Sequence, residues 1–429
     1  MMMELFPATI KIRMRNVLQM LFIACCISIA LSGCKSTKDA TQSTAQKPAT
    51  STPPPKQEPA PAEVKTTKPE EVVKRRFVMI MPFELEQNFV ETTEEATEPE
   101  VSSTSLNALN FYEGAMVAID SLKSQKIEIK VNSFDTPADS VGVVRMMTNS
   151  TVKDADIVFA SFPNNLVSVA VGVAKSNNIK LVLTQAGSAD HLQNNATVAL
   201  ALASTKTQCR EMVDFMMGQV SDANIILVFR TVKREDELAS VFREEILKLK
   251  GNNSFQDFNA TKKEYTEIVG TLSQTKRNLI FLISSDEAFV SPVLSLLEEQ
   301  NMFGIKLCGL PTWLNFESID FMNFKNLQVH LFDNNYIDVD QPEKSVFRKA
   351  FIGRFQTDPL PTAYNGFDLF YHLGTSQKVI HPDLFNLMQT SFAGCPRTYN
   401  FTNTNSGAIE NKSISVLQIS DYKLERLNK

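Results

Sequence analysis

Residues 75–83 read RRFVMIMPF, and residues 105–136 read SLNALNFYEGAMVAIDSLKSQKIEIKVNSFDT. The uninterrupted apolar run Phe77–Met81, closed by Pro82, predicts a strand buried on both faces. Phe111, Ala115, Ile119 and Leu122 recur at helical spacing, with Glu113, Asp120 and Lys123 off that stripe, which predicts an amphipathic helix. Ile127, Ile129 and Val131 then alternate with Glu128, Lys130 and Asn132 as a second strand. A strand, a helix and a parallel strand require a right-handed crossover. The class is α/β, an open sheet covered by helices.

The bounds agree. A chain of 429 residues, 43% hydrophobic, is too long for one ordinary core, so two lobes are expected. A net charge of −5 without a basic, aromatic-laced stripe gives no footprint for nucleic acid. At the start, Lys11, Arg13 and Arg15 precede the apolar stretch Val17–Ala30, which is short for a membrane span. Leu31-Ser32-Gly33-Cys34 follows and resembles the lipobox of bacterial lipoproteins. That resemblance implies a signal peptide over 1–33, lipid on Cys34 and a mature chain in the cell envelope. Lys35 after the cysteine favours the outer membrane, facing the periplasm.

Residues 34–75 are rich in Thr, Pro and Lys and nearly lack large apolar side chains, so they predict a disordered tether. A coil of that length spans roughly 35 Å. Cys25 and Cys26 would leave with the signal, and Cys209, Cys308 and Cys395 remain without C-x-x-C spacing. They read as small buried apolar residues, with at most one disulfide among them.

From residue 76 to 429 the grammar repeats. The acidic stretch Glu84–Ser105 reads as a solvated loop. Helix from Pro137 to about Lys153, strand Asp156–Ala160, helix Asn165–Asn177 and strand Ile179–Leu183 complete a first lobe over about 76–200, to which C-terminal segments return. A second lobe, about 201–340, has helices at Thr205–Gly218, Asp236–Leu249, Lys262–Thr275 and Pro292–Gln300. Its strands are expected at Asn224–Phe229, Asn278–Ile283, Ile305–Gly309 and Leu327–Phe332. Helices at Glu343–Gln356 and Thr362–Leu373 follow. Thr398–Phe401 and Ser413–Ser420 then alternate like antiparallel strands around Asn403–Gly407. The expected fold is thus two doubly wound parallel-sheet lobes joined by a hinge.

This order of elements resembles the type 1 periplasmic binding protein fold of branched-chain amino-acid binding proteins. Phe111-Tyr-Glu-Gly-Ala-Met-Val-Ala-Ile-Asp-Ser-Leu122 is similar to the first helix of bacterial lipoproteins that join this fold to LysM peptidoglycan-binding repeats. Val131–Pro137, Ser345–Phe355, Ala363–Asp368 and Tyr399–Phe401 carry further likeness. No LysM repeat is present; the tether stands in its place. After the third strand the family usually has Gly-Pro and small hydroxyl residues that hold a ligand carboxylate. Here Ala160-Ser161-Phe162-Pro163-Asn164 stands instead, and the bulky Phe162 either narrows a pocket or fills it.

The resemblance implies a non-enzymatic binding protein without a cofactor, holding an amino-acid- or peptide-like solute at the carboxyl ends of the strands. Ser161, Asn164, Gln185 and Ser188 are the candidate ligand residues of the first lobe; Thr231, Asp286 and Trp313 are those of the second. Asn164 and Ser188 suit helix caps equally well, and Trp313 suits a core. The alternative is a cell-envelope module with a vestigial cleft that binds a protein partner or peptidoglycan, as activators of cell-wall synthesis do on a similar fold. Enzyme signatures are missing: there is no H-E-x-x-H, no phosphate loop and no G-x-S-x-G, and His191, His330, His372 and His381 lack ligand spacing. Ser150–Lys153 and Ser273–Lys276 fit S-x-x-K without its companion motifs.

Replacing Cys34 with Ser is expected to leave an unprocessed precursor or release a soluble form, read by detergent partitioning. Mature protein that still partitions into detergent unchanged would contradict lipidation.

Overall fold

β1 runs over Val73–Met81, and its apolar half Phe77–Met81 is at most 1% exposed, as a strand in the middle of a covered sheet requires. The computed structural model describes residues 72–88, 101–187, 192, 195–302, 304–337, 346–375, 388, 391–395, 397–403, 409–420 and 423–428. The expected signal peptide, Cys34 and all but the end of the tether lie outside them. α1 (Ser103–Lys123) begins at Ser102, whose hydroxyl accepts the Ser105 amide. β2 (Ile127–Asp135) lies parallel to β1, with Val73 opposite Ile127 and Met81 opposite Asp135.

α2 (Ser140–Met147) starts later than Pro137 because Asp139 takes the capping position and accepts the Gly142 amide at 2.7 Å. It ends at Thr148, and a separate turn covers Ser150–Lys153, so the single long helix expected there is broken. β3 (Ile157–Ala160), α3 (Asn164–Ser176), β4 (Leu181–Leu183) and β5 (Val198–Leu200) complete the first run. The second lobe contains α4 (Thr205–Gly218), β6 (Ala223–Phe229), α5 (Lys233–Leu249), β7 (Ser254–Asn259) and β8 (Arg277–Ile283). It continues with α6 (Glu287–Glu299), β9 (Ile305–Cys308), α7 (Phe321–Asn326) and β10 (Val329–Asp333). The helix expected at Lys262–Thr275 is a 3-10 segment, Tyr265–Thr271, opened by a reciprocal Glu264–Glu267 capping box. α6 starts ahead of Pro292 because Asp286 caps it.

The chain then returns. α8 (Val346–Phe355) and α9 (Pro361–Thr375) pack on α1, and β11 (Ser391–Ala393), β12 (Thr398–Asn403) and β13 (Ile409–Asn411) extend the first sheet. β14 (Ser415–Ser420) and β15 (Lys423–Arg426) belong to the second. The strand orders are β11-β12-β13-β5-β4-β3-β1-β2 and β15-β14-β10-β9-β8-β6-β7. The terminal hairpin therefore differs from expectation. β12 pairs with the short β13, while β14 lies antiparallel to β10 in the other lobe, because the chain crosses between them at 412–414.

Three crossings join the lobes: 201–204, the segment after Asp333, and 412–414. Polar side chains bind them together. Asn411 Nδ2 donates to the Ala201 carbonyl at 3.0 Å, and Glu410 Oε1 accepts the Ser204 amide at 2.6 Å. Asn334 Nδ2 donates to the Ala203 carbonyl at 3.3 Å.

The first lobe's helical layer rests on a close contact between α1 and α9. A Cβ on Gly114 would lie 1.9 Å from the Ala363 carbonyl oxygen, and one on Gly366 would lie 2.1 Å from the Phe111 oxygen. Both glycines sit in segments that carry the family likeness, so those two segments are halves of one contact. Gly114→Ala is expected to cost at least about 1–3 kcal/mol in urea unfolding, because backbone, not a movable side chain, blocks the added methyl. An unchanged midpoint would contradict the contact.

Candidate functional site

At the carboxyl ends of the first lobe's strands, backbone pairing sets the loop after β3. The Ser161 amide donates to the Ile80 carbonyl at 2.9 Å, and the Ser161 carbonyl accepts from Thr136 Oγ1 at 2.8 Å. Phe162 turns inward. It is 3% exposed and packs with Leu166, Leu183 and Leu200, so it fills core rather than opening a pocket. Gln185 closes on this loop with both ends of its amide: Oε1 accepts the Phe162 N–H at 3.3 Å and Nε2 donates to the Phe162 carbonyl. Asn164 is exposed and opens α3, where Pro163 ahead of it offers no side chain to the first amides. Ser188 lies outside the described residues.

Beside this loop is a pocket of ≈ 320 Å³, lined by Asn164, Val167, Leu183, Gln185, Leu200 and Thr205 together with Ala186 and Gly187. Its floor is apolar and its rim carries three neutral polar side chains. Of the four first-lobe candidates, Asn164 and Gln185 line it. Val167, Leu183, Leu200 and Thr205 escaped sequence reasoning because three look like ordinary core and Thr205 looks like a helix start.

The second lobe is tighter. Thr231 is exposed, and its hydroxyl accepts from Asn259 Nδ2 at 2.8 Å. Asp286 caps α6 with one oxygen, accepting the Ala288 amide, and accepts Arg230 Nη1 at 2.6 Å with the other. Trp313 is a core residue: 1% exposed, with its indole N–H donated to the Ser284 carbonyl at 2.8 Å. The residue sequence reasoning missed is Arg230, directly after the buried strand β6. Its Nε and Nη2 donate to Glu235 at 3.0 and 2.6 Å, and Ser284 Oγ donates to the same carboxylate at 2.7 Å. The bond from Arg230 holds the Asp286 carboxyl below its usual range, and the bond to Glu235 raises Arg230 further. One cation thus meets two carboxylates, and all three of its nitrogens donate within the protein. An arginine ending an apolar strand was the available signal.

Other titratable groups are buried. Burial pushes His330 down to about 4 and Cys209 up to about 12, which suits neither a base nor a nucleophile at neutral pH. His372 stacks on Phe392 with ring centroids 3.7 Å apart. Cys209, Cys308 and Cys395 are free thiols. Among the described residues no group of three or more His, Cys, Asp or Glu is placed to hold a metal ion.

No family model and no curated protein matches the chain by sequence. Solved structures do match by shape. One, described as a branched-chain amino acid ABC transporter protein from Rhodospirillum rubrum, superposes with a TM-score of 0.60 at 12% identity, covering 83% of this chain and all of that one. The fold is that of the type 1 periplasmic binding proteins. An ABC transporter substrate-binding protein from Desulfitobacterium hafniense gives 0.54 at 13% identity, over 83% of this chain and 100% of its own. A branched chain amino acid ABC transporter periplasmic ligand-binding protein from Burkholderia xenovorans gives 0.52 at 12% identity, over 83% and 94%. At such identities the likeness concerns the fold.

Because Phe162 is core, Phe162→Ala is expected to lower stability by about 3–5 kcal/mol in urea unfolding. A loss below about 1 kcal/mol would mean that the ring projects into the cleft instead.

Proposed function

We propose that this chain is a non-enzymatic, lipid-anchored binding protein of the cell envelope that holds a small solute in the first-lobe pocket, with the second lobe closing over it. The observation that carries the reading is the ≈ 320 Å³ pocket beside the carboxyl ends of β4 and β5, the place where open α/β sheets take ligands. Its volume suits an amino-acid-like or short peptide-like molecule. Val167, Leu183 and Leu200 would face the apolar part, and Asn164, Gln185, Thr205 and the α3 amides the polar end. Ser161 would be a near neighbour of that end, and Ser188, outside the described residues, is kept as a candidate ligand residue. On the second lobe, Thr231 and Asp286 would meet the solute only as groups already bonded, and Trp313 would support them from behind. The structural neighbours described as substrate-binding and ligand-binding proteins support a solute role.

One observation favours a second reading. Gln185, Thr231, Asp286 and Trp313 each already make hydrogen bonds inside the protein. A vestigial cleft on a tethered body that binds peptidoglycan or an envelope protein would look the same.

Thermal-shift and calorimetric titration with amino acids, short peptides and soluble wall fragments separates the two. A solute receptor is expected to bind at least one compound, and Ala186→Trp, on the exposed pocket rim, should weaken it at least tenfold (about 1.4 kcal/mol) without lowering the melting temperature. Binding undiminished by Ala186→Trp, or retention on intact peptidoglycan with no solute bound, would overturn the pocket reading.

A further inference from the structure

Behind the crossings lies a buried cluster that no solute-binding role uses. Asp368 of α9 is 3% exposed; its Oδ1 accepts the Cys395 amide at 2.8 Å, and its Oδ2 meets no hydrogen-bond partner of good geometry among the described residues. Arg397, 7% exposed, reaches from the start of β12 to the second crossing, where Nη1 donates to the Asn334 carbonyl. Its Nε and Nη2, one edge of the guanidinium, have no hydrogen-bond partner among the described residues. Asn365, one turn before Asp368, donates to Asn335 Oδ1 at 3.0 Å and accepts the Tyr399 hydroxyl at 3.1 Å. Cys395 and Arg397 therefore act as a strut, held to the first lobe by Asp368 and to the crossing by the Arg397 guanidinium.

We propose that this strut is a charge-controlled hinge element, in which the ionisation state of Asp368 sets how firmly the first lobe grips the crossing at 333–335. The carboxylate strengthens the bond from the Cys395 amide and draws Arg397 toward α9; the neutral acid does neither. Arg397 also acts on Asp333, at the end of β10, whose carboxylate accepts the Asn335 amide at 2.7 Å. Arg397 thus lies in the field of two acids from different lobes, and neutralising one leaves it to the other.

Burial pushes Asp368 up to about 6, against the pull of the Cys395 amide and Arg397. Burial also raises Asp333, which the Asn335 amide and Arg397 oppose. The groups that act on Asp368 are Arg397 just ahead of β12, Tyr399 of β12 and Cys395, with Tyr364 on its own helix; His372, one turn further on, lines the same cavity. α1, also packed on α9, meets it with Phe111, Gly114 and Ala115. Arg426 of β15 adds a second cation near Arg397. With a raised carboxyl, folding is favoured by the neutral form: stability is greatest below about 4 and falls as pH rises through about 6. Asp368→Asn, which mimics the neutral acid, should therefore fold and melt no lower than the parent at pH 7.5.

The device rests on the two lobes and not on the solute reading, so its test omits any solute. Trp313, the single tryptophan, lies in the second lobe and can excite a methoxycoumarin amino acid replacing exposed Lys153 of the first. Energy transfer in the full chain is expected to shift between pH 5 and 8 with a midpoint near 6. In Asp368→Asn it should stay at the parent's low-pH value throughout. A flat parent profile, or a transition that survives in Asp368→Asn, would overturn the proposal. Should that variant not fold, Asp368→Glu decides: a moved midpoint is expected, and an unmoved one overturns the assignment to Asp368.

Discussion

The bond between the Ser204 amide and the Glu410 carboxylate, 2.6 Å long and buried, is the constraint on which the rest depends. Three chain crossings must leave one sheet and enter another, and each leaves backbone groups that no ladder satisfies. Buried without partners, such groups cost about 1–3 kcal/mol apiece. Here side chains at one crossing serve the backbone of another: Glu410 and Asn411 of β13, just ahead of the third, and Asn334 from the second all meet 201–204. Polar bonds of this kind hold position yet permit small rotations, unlike interdigitated apolar packing. The lobes on either side are built the other way, each around its own apolar core.

That arrangement makes the two strand-end surfaces unequal. The first lobe keeps a pocket where the short strands β4 and β5 end, with Leu183 and Leu200 among its lining. In the second lobe, Arg230 ties β6, α5 and α6 together through Glu235 and Asp286. The second lobe's strand-end groups are thus already bonded to one another, whereas the pocket carries only neutral polar side chains. This explains why a charge pair dedicated to a zwitterion was not readable in the chain.

Much of the fold was legible because burial on both faces and helical spacing leave strong patterns, as in Phe77–Met81 and Phe111–Leu122. β5 and β7 were not. β5 is only Val198–Leu200, and β7, Ser-Phe-Gln-Asp-Phe-Asn, is an edge strand with little apolar run. The closing hairpin was misread because alternation marks a strand without saying which sheet receives it. The site was less legible still. Residue type suggested that Gln185, Asp286 and Trp313 could meet a ligand, but whether a polar atom is free depends on contacts distant in sequence, such as Gln185 with the Phe162 backbone. Phe162 itself was poised between two readings until its neighbours in the core were known.

Native-state hydrogen exchange at the Ser204 amide tests most directly the claim that the crossings are bound into one polar hinge. If Glu410 holds that amide as described, it should exchange only through global unfolding, as slowly as the amides of β1 and β6 and far more slowly than the loop at Thr231. Exchange at the rate of an exposed loop would contradict the hinge, and with it the picture of two lobes moving about a shared tie.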